Sequence, residues 1–585
     1  MASKRRPEVA ETYTPTLQSL TSIHLSSSLS GEPRGQGSLL QVYVFGAIAL
    51  FVLLIAAVNF VNLATARATE RSVEVGVRKS VGAQRGQLAG QFLGEALLLS
   101  LAAAALALLL TQAALPVFTS ILGKDLSVGL WANRGLWLGV VAIILGTGIG
   151  AGSYPAFVLS RFQPASVLKN TTSTGRGQGT WLRKGLVVGQ FALSIALIAA
   201  TAVAYSQLEY LRTARLGFDQ EQVVAMDAEG EYETLKQELV QRPEVAGVTA
   251  ASETPGLGGG MTYRYEINGQ PPDDSEERLD IQRVDFGFFE TIGVETIAGR
   301  TPSADRRGDL GTGEPRGGTH ASPYFRDQAL VVNRAMLDKF GWTPEEALGK
   351  RIRLYVLENE TIYQDYAGEV VGVVENYHTT SLREEIPPVV YTPALLPVPE
   401  GTGTFYNGVN TVLVRAAPGT ANQVMDALRS VWTEVLPTEP FAASVLGDRL
   451  QAQYASEQRL GQVVGIFSVL ALFVACLGLF GLATYTTQQR TKEIGIRKAV
   501  GASVTSIVGL LSNFLKLVAG AILIGTPLAY LAVRQWLQNF AYHVDLGPVP
   551  FVLAAGSALA IAGLTVSYHA LRAARLDPAR TLRDE

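Results

Sequence analysis

Long apolar stretches separated by short polar segments fill both ends of the chain, and one long polar stretch lies between them. Seven apolar stretches, about 41–66, 92–118, 136–160, 183–208, 461–486, 505–532 and 550–571, reach the roughly 20 residues a helix needs to cross a bilayer. Between 209 and 460 the period shortens. Short β-branched runs at 222–228, 246–252, 278–286, 329–333, 350–356, 366–374 and 410–416 are bounded by turn residues and predict strands. Residues 231–241, 334–341 and 421–436 carry helical spacing of apolar positions. Residues 301–323 are rich in Gly, Arg and Asp and predict a loop or insertion. No proline occurs between Pro164 and Pro243, or between Pro440 and Pro527. The pattern therefore predicts stiff helical stalks at both joints, with 441–464 running as one helix into the fifth span. The expected fold is an α-helical polytopic membrane protein with an α+β domain outside the bilayer. Its parts are an N-terminal external remnant (1–40), a first membrane module (41–208), the external domain (209–460) and a second membrane module (461–585).

Lys and Arg give the orientation, because they accumulate in short cytoplasmic segments. Arg67, Arg71, Arg78, Lys79 and Arg85 follow the first span, and Arg161, Lys169, Arg176, Arg183 and Lys184 follow the third. Arg490, Lys492, Arg497 and Lys498 follow the fifth, and the tail carries Arg572, Arg575, Arg580 and Arg583. The intervening short loops hold only Lys124, Arg134 and Arg534. The basic segments thus lie in the cytoplasm and 209–460 lies outside. This topology places residues 1–40 outside although they contain no apolar leader core. The expectation is that the natural chain carries a further span upstream.

One basic segment occurs twice. EVGVRKSVGA (Glu74 to Ala83) and EIGIRKAVGA (Glu493 to Ala502) are identical at seven of ten positions and lie 419 residues apart. The identical positions are Glu74/Glu493, Gly76/Gly495, Arg78/Arg497, Lys79/Lys498, Val81/Val500, Gly82/Gly501 and Ala83/Ala502. SYPAFVLSRFQPASVLK (153–169) and SYHALRAARLDPARTLR (567–583) match in register as well, so spans one to three correspond to spans five to seven. Glu74 and Arg78, and Glu493 and Arg497, stand four apart with the acid first, the favourable order on a helix. Val73, Val77 and Val81 form one stripe, and Gly82 and Gly501 suit a helix C-terminal turn. The reading is a short amphipathic helix at the cytoplasmic face. Bare topology needs basic residues but not Glu-x-Gly-x-Arg-Lys in fixed register twice, which points to a docking surface.

Composition narrows the chemistry. Mean hydropathy is +0.21 with 17% charged residues, too apolar for an ordinary soluble protein, and the net charge of −3 hides the segregation of charge. The lone cysteine, Cys476, excludes an intramolecular disulfide and a cysteine metal cluster. The five histidines are scattered, so no metal site is expected, and no cofactor is expected either. G-x-x-x-x-G-K-[ST] does not occur, so this stretch of sequence has no P-loop and is not itself expected to be an enzyme. Polar residues in the spans are few: Asn59, Asn62, Glu95, Asn513 and Lys516. Glu95 and Lys516 lie early in their spans, where they can reach toward the cytoplasmic face, and the lack of mid-span acids disfavours an ion-coupled transporter. Gly478 and Gly481 read as sites of close helix packing.

The span, EVGVRKSVGA, span pattern resembles the FtsX-like permease family of ABC transporters, in its MacB-like group, and 209–460 resembles the MacB-like periplasmic core domain. The resemblance implies a permease subunit in the bacterial inner membrane whose paired-span segments are coupling helices docking a separate ATPase. Glu74, Gly76, Arg78, Lys79, Gly82 and Ala83 would dock in one half, and Glu493, Gly495, Arg497, Lys498, Gly501 and Ala502 in the other. Implied partners are the ATPase, membrane lipids, a periplasmic adaptor with an outer-membrane channel, and a second permease protomer; nucleic acid is not among them. The implied work is mechanical export of a peptide, antibiotic or lipoprotein. The alternative is a relay that controls an external hydrolase or a cytoplasmic sensor. Residues 20–36 resemble the tail of a first external domain, which members of this layout carry after an earlier span.

Overall fold

The computed structural model describes residues 39–123, 134–161, 176–227, 232–258, 261–274, 277–315, 323–358, 361–397, 404–406, 408–489 and 513–574. The chain divides into two compact units. One holds the membrane helices; the other holds 209–455 together with the short segment Gln538–His543.

The membrane unit contains α1 (Leu39–Ser80), α2 (Arg85–Leu122), α3 (Arg134–Arg161) and the first part of α4 (Arg176–Thr213). Six helices among the described residues have the length and apolar character to cross a membrane. The third predicted span is helical as α3, but its described apolar run, Arg134–Gly150, is shorter. At ~1.5 Å per residue such a run falls short of the roughly 30 Å hydrocarbon layer. Six described spans therefore stand against seven expected ones. Gly148 and Gly152 let α3 approach Leu97 and Ala96 of α2 closely. A second group of interior side chains joins Ile48 and Ile55 of α1, Phe191 and Ile195 of α4, and the later spans.

The domain unit begins where α4 emerges. In chain order its main elements are β1 (Val223–Asp227), α5 (Tyr232–Val240), β2 (Val245–Ala251), β3 (Met261–Ile267) and β4 (Leu279–Val284). Then follow β5 (Thr296–Gly299), β6 (Thr312–Pro315), β7 (Pro323–Asn333), α6 (Arg334–Phe340), β8 (Arg351–Glu358) and β9 (Thr361–Val374). The unit ends with β10 (Val389–Pro393), β11 (Leu395–Pro397), β12 (Thr404–Tyr406), β13 (Thr411–Ala416), α7 (Ala421–Val435), β14 (Ala443–Val445) and α8 (Leu446–Gln453). Three long helices complete the chain: α9 (Ala455–Gln489), α10 (Asn513–Leu537) and α11 (Val549–Ala574).

Half of the domain is two-layered. Strands β2, β13, β1 and β14 form its sheet. Leu235 and Leu239 of α5 and Val424, Leu428, Val431 and Trp432 of α7 cover one face, packing on Val224, Met226, Val248, Val412 and Val414. The other half closes on itself. β10 pairs in parallel with β4 and antiparallel with β7, so β4, β3, β8, β9, β7 and β10 form a closed barrel. Tyr263, Tyr265, Ile281, Leu330, Val332 and Leu354 fill it. Closure removes the exposed edges an open sheet would present. Gly368 and Gly372 of β9 permit this pairing, because a Cβ at either would collide with the Gln328 or Arg300 carbonyl.

Two sequence expectations change. Part of the 301–323 stretch is built structure: Arg300 forks onto Asp309 with bonds of 2.6 and 2.7 Å, and the Ser303 N–H also donates to that carboxylate at 2.9 Å. A short helix (Arg307–Leu310) and β6 follow, whereas 316–322 lie outside the described residues. The predicted single helix over 441–464 is instead β14, α8 and α9, with a break at Tyr454 (φ −94°, ψ 6°). The reason is burial. Leu446 and Leu450 sink into the domain, and the Tyr454 hydroxyl accepts the Leu382 N–H at 3.0 Å. The first stalk, α4, does run unbroken across the boundary between the units at 208/209.

Candidate functional site: the cytoplasmic hairpin and the spans beneath it

The first copy of the repeated motif is no separate helix. It forms the last turns of α1, a 42-residue helix continuous with the first span. The amphipathic-helix expectation is corrected in this respect: no cap or breaker stands between span and motif, so propagation costs less than a new nucleus. The turn comes at Gly82, whose φ of +102° strains any side-chain-bearing residue. There Gly82 N–H donates to the Lys79 carbonyl at 3.1 Å and Ala83 N–H to that of Arg78 at 3.0 Å. Across the turn α2 starts with a capping box. Gln84 and Gln87 each accept a backbone N–H from the other.

Arg78 reaches over the hairpin and donates from Nη1 to Gln91 Oε1 at 2.8 Å, and Gln91 Nε2 donates to Glu95 Oε1 at 3.2 Å. Glu95 is thereby tied to the motif end of its helix. The Lys79 ammonium is held below its ordinary pKa by partial burial and by the charge of Arg85. Val75 is buried, whereas Val77 and Val81 are exposed, Val81 to 85%. The tip thus presents two exposed valines beside the exposed Arg78. The side chain of Glu74 and the surroundings of Gly76 lie outside the described residues. So does the whole second copy, with Glu493, Gly495, Arg497, Lys498, Gly501 and Ala502.

Within the membrane unit, α1 and α9 meet at Asn59 and Gly478. These residues are again 419 positions apart, so they are equivalents under the sequence repeat. Asn59 Nδ2 donates to the Val474 carbonyl at 2.5 Å, and Gln190 Nε2 of α4 donates to the next carbonyl, Ala475, at 3.4 Å. Thr201 of α4 and Ser468 of α9 share a hydroxyl bond of 2.8 Å. A contact between equivalent positions is what a two-fold relation between modules produces at its axis. The glycine makes it possible, because a Cβ at Gly478 would occupy the place of the Asn59 side chain. Gly481 likewise admits Leu63, at 2.6 Å from where its Cβ would stand. The sequence marked Asn59 and both glycines without pairing them, and it passed over Gln190. The 419-residue register makes Asn59 and Gly478 equivalent positions, and the helix crossing brings them into contact. Lys516 is exposed, and the side chain of Asn513 lies outside the described residues. No cluster of His, Cys, Asp or Glu suited to a metal ion occurs among the described residues.

The model of the FtsX-like permease C-terminal family matches the chain twice, at 46–164 and 465–578. Both membrane modules thus match the FtsX-like permease family. Each match covers three predicted spans and one copy of the motif, the unit inferred from the repeat. The chain is 24% identical over 349 residues to the macrolide export ATP-binding/permease protein MacB of Marinobacter nauticus, covering 58% of this chain and 48% of that protein. It is 31% identical over 139 residues to the pyoverdine export ATP-binding/permease protein PvdT of Pseudomonas putida, covering 23% and 21%. The chain thus spans about half or less of the length of the curated relatives it matches. Among solved structures, the periplasmic region of MacB from Actinobacillus actinomycetemcomitans aligns with a TM-score of 0.27 at 12% identity, over 41% of this chain and 96% of that one. Six described helices have the length and apolar character to cross a membrane, and the Lys and Arg distribution is the one expected when residues 209–460 lie outside the cytoplasm.

Proposed function

We propose that the chain is the permease subunit of an ABC transporter, that it has no ATPase activity of its own, and that its two cytoplasmic hairpins dock a separate ATPase. The observation carrying this reading is the hairpin tip, where exposed Val77 and Val81 flank Arg78 and the tip is a rigid extension of span one. The matched sequence on the second copy supplies a second docking point through Arg497, Lys498 and Gly501. One chain with modules at 41–208 and 461–585 around the domain 209–460 then engages two ATPase subunits.

A rigid α1 converts movement of the ATPase pair into movement of the spans, and the helical path of α4 carries it into the domain. The few polar groups inside the spans favour mechanical transmission over a hydrophilic channel. The cargo class is a peptide, antibiotic or lipoprotein exported from the outer side, in keeping with relatives named for macrolide and pyoverdine export. A periplasmic adaptor, an outer-membrane channel and a second permease protomer are candidate partners of the assembly.

The test is Arg78→Glu combined with Arg497→Glu, with ATP hydrolysis measured in detergent alongside the ATPase encoded nearest to the chain. The expected outcome is loss of both complex formation and stimulation. Undiminished stimulation by the reversed pair removes the docking assignment.

A further inference from the structure

Among the described residues the chain crosses between its two units at 208/209, 455/456, 537/538 and 543/544. The last two crossings bracket Gln538–His543, which joins α10 to α11 but clusters with the domain. Inside the domain unit, three of these entering segments converge on one loop, 375–388, which links β9 to β10.

Just beyond α4, the Leu216 carbonyl accepts the His378 N–H at 2.9 Å. Before α9, the Tyr454 hydroxyl accepts the Leu382 N–H at 3.0 Å. From the α10–α11 connection, Ala541 N–H donates to the Arg383 carbonyl at 3.0 Å and Tyr542 N–H to that of Leu382 at 3.3 Å. Side chains reinforce this third grip. The Arg383 guanidinium lies over the Phe540 ring at 5.6 Å, and the His378 ring meets Tyr542 edge-on at 4.7 Å. Phe540 is only 5% exposed. Both strands flanking the loop belong to the barrel, and β10 is the strand that closes it.

We infer that the 375–388 loop is a transmission node, through which displacement of the last two spans is delivered to the barrel in parallel with the stalk helices. The inference rests on the reading that the spans move. The α10–α11 connection is held by main-chain bonds and ring contacts, which keep register when the segment is pulled. A loop anchored by exposed side chains alone would slip. Leu382 is the central residue, because its N–H is held by the second stalk and its carbonyl by the α10–α11 connection.

The experiment needs no ATPase, so its failure is separate from failure of the docking reading. The full chain is placed in vesicles of short-chain and of long-chain phosphatidylcholine, whose thickness difference changes span tilt. Amide hydrogen exchange is followed across 375–388. The parent is expected to show an about fivefold thickness-dependent change in exchange at Leu382, the size expected for a modest shift in local opening. Phe540→Ala with Tyr542→Ala is expected to abolish that dependence while the amides of β4 exchange as in the parent, showing an intact domain. Arg383→Gln, a milder change, is expected to reduce it. Equal thickness dependence in parent and double variant, or none in the parent, overturns the inference.

Discussion

At residue scale the most informative contact is Asn59 on Gly478. A carboxamide inside a membrane is tolerated when it is bonded, and Asn59 spends its amide on the Val474 carbonyl. The glycine leaves the space that makes this bond possible. Gly478→Ala therefore forces Asn59 out of its rotamer and breaks the bond. The expected cost is about 1–3 kcal/mol, the range for overpacking and for an unpaired buried polar group. Asn59→Ala made together with Gly478→Ala should recover part of the loss, because the colliding group is gone. A double-mutant cycle on unfolding in detergent measures this coupling; strict additivity would show that the two residues do not meet. The sequence revealed the small residue and the polar residue separately. Their pairing depends on where two helices cross, which no local periodicity encodes.

At element scale, sequence and structure agree where one physical demand dominates and diverge where two compete. The strands β1, β2, β4, β8 and β13 lie where short β-branched runs bounded by turn residues predict them, and β1, β4 and β13 are buried along nearly their whole length. β10 leaves no comparable signal, because VVYTP is short and directly follows Pro387 and Pro388. β3 is absent from the predicted runs, although Tyr263, Arg264, Tyr265 and Glu266 alternate in the manner of a strand. Barrel closure follows from the β4–β10 parallel pair, a long-range contact without a local signal. The second stalk shows the competition most plainly: helix propensity favoured continuity through Tyr454, and burial of α8 with the Leu382 bond overrode it. The node loop at this same joint contains His378, 7% exposed, whose pKa is lowered by burial. A folded-state pKa below the unfolded one means that the unfolded state binds more protons. The contribution of neutral His378 is therefore complete above the ordinary histidine pKa of about 6.5 and is lost as pH falls toward the folded value. Exchange at 375–388 should accelerate as pH is lowered through this window, after correction for the intrinsic rate. His378→Phe keeps a ring against Tyr542 and should flatten the profile. An unchanged profile would assign the acid sensitivity to another group.

At the scale of the whole molecule, the architecture rests on charge asymmetry across the spans, because the ends of apolar helices are otherwise interchangeable. The charge distribution leads to the expectation that Arg78, Lys79 and Arg85 and the basic segments after spans three and five face the cytoplasm and the acidic domain the opposite side. The single native cysteine makes this assignment testable with one label per protein. In a Cys476→Ala background, Val81→Cys places a thiol at an 85% exposed hairpin tip. Glu434→Cys places one on an exposed position of α7 in the domain. A membrane-impermeant maleimide should modify Glu434→Cys, and not Val81→Cys, in right-side-out vesicles, with the pattern reversed in inverted vesicles. Both positions are exposed within their own unit, so a failure to react reports the side of the membrane and not burial. If both thiols react from the same side, an odd number of crossings between the hairpin and the domain is excluded, and the assignment of α2, α3 and α4 as three successive crossings falls with it. That outcome would bear on the third span above all, since α3 is the helix whose described apolar run is too short to be counted by length alone. Opposite-side labelling would instead establish that α3 crosses despite its short described apolar run, with the helix continuing to Arg161 to complete the passage.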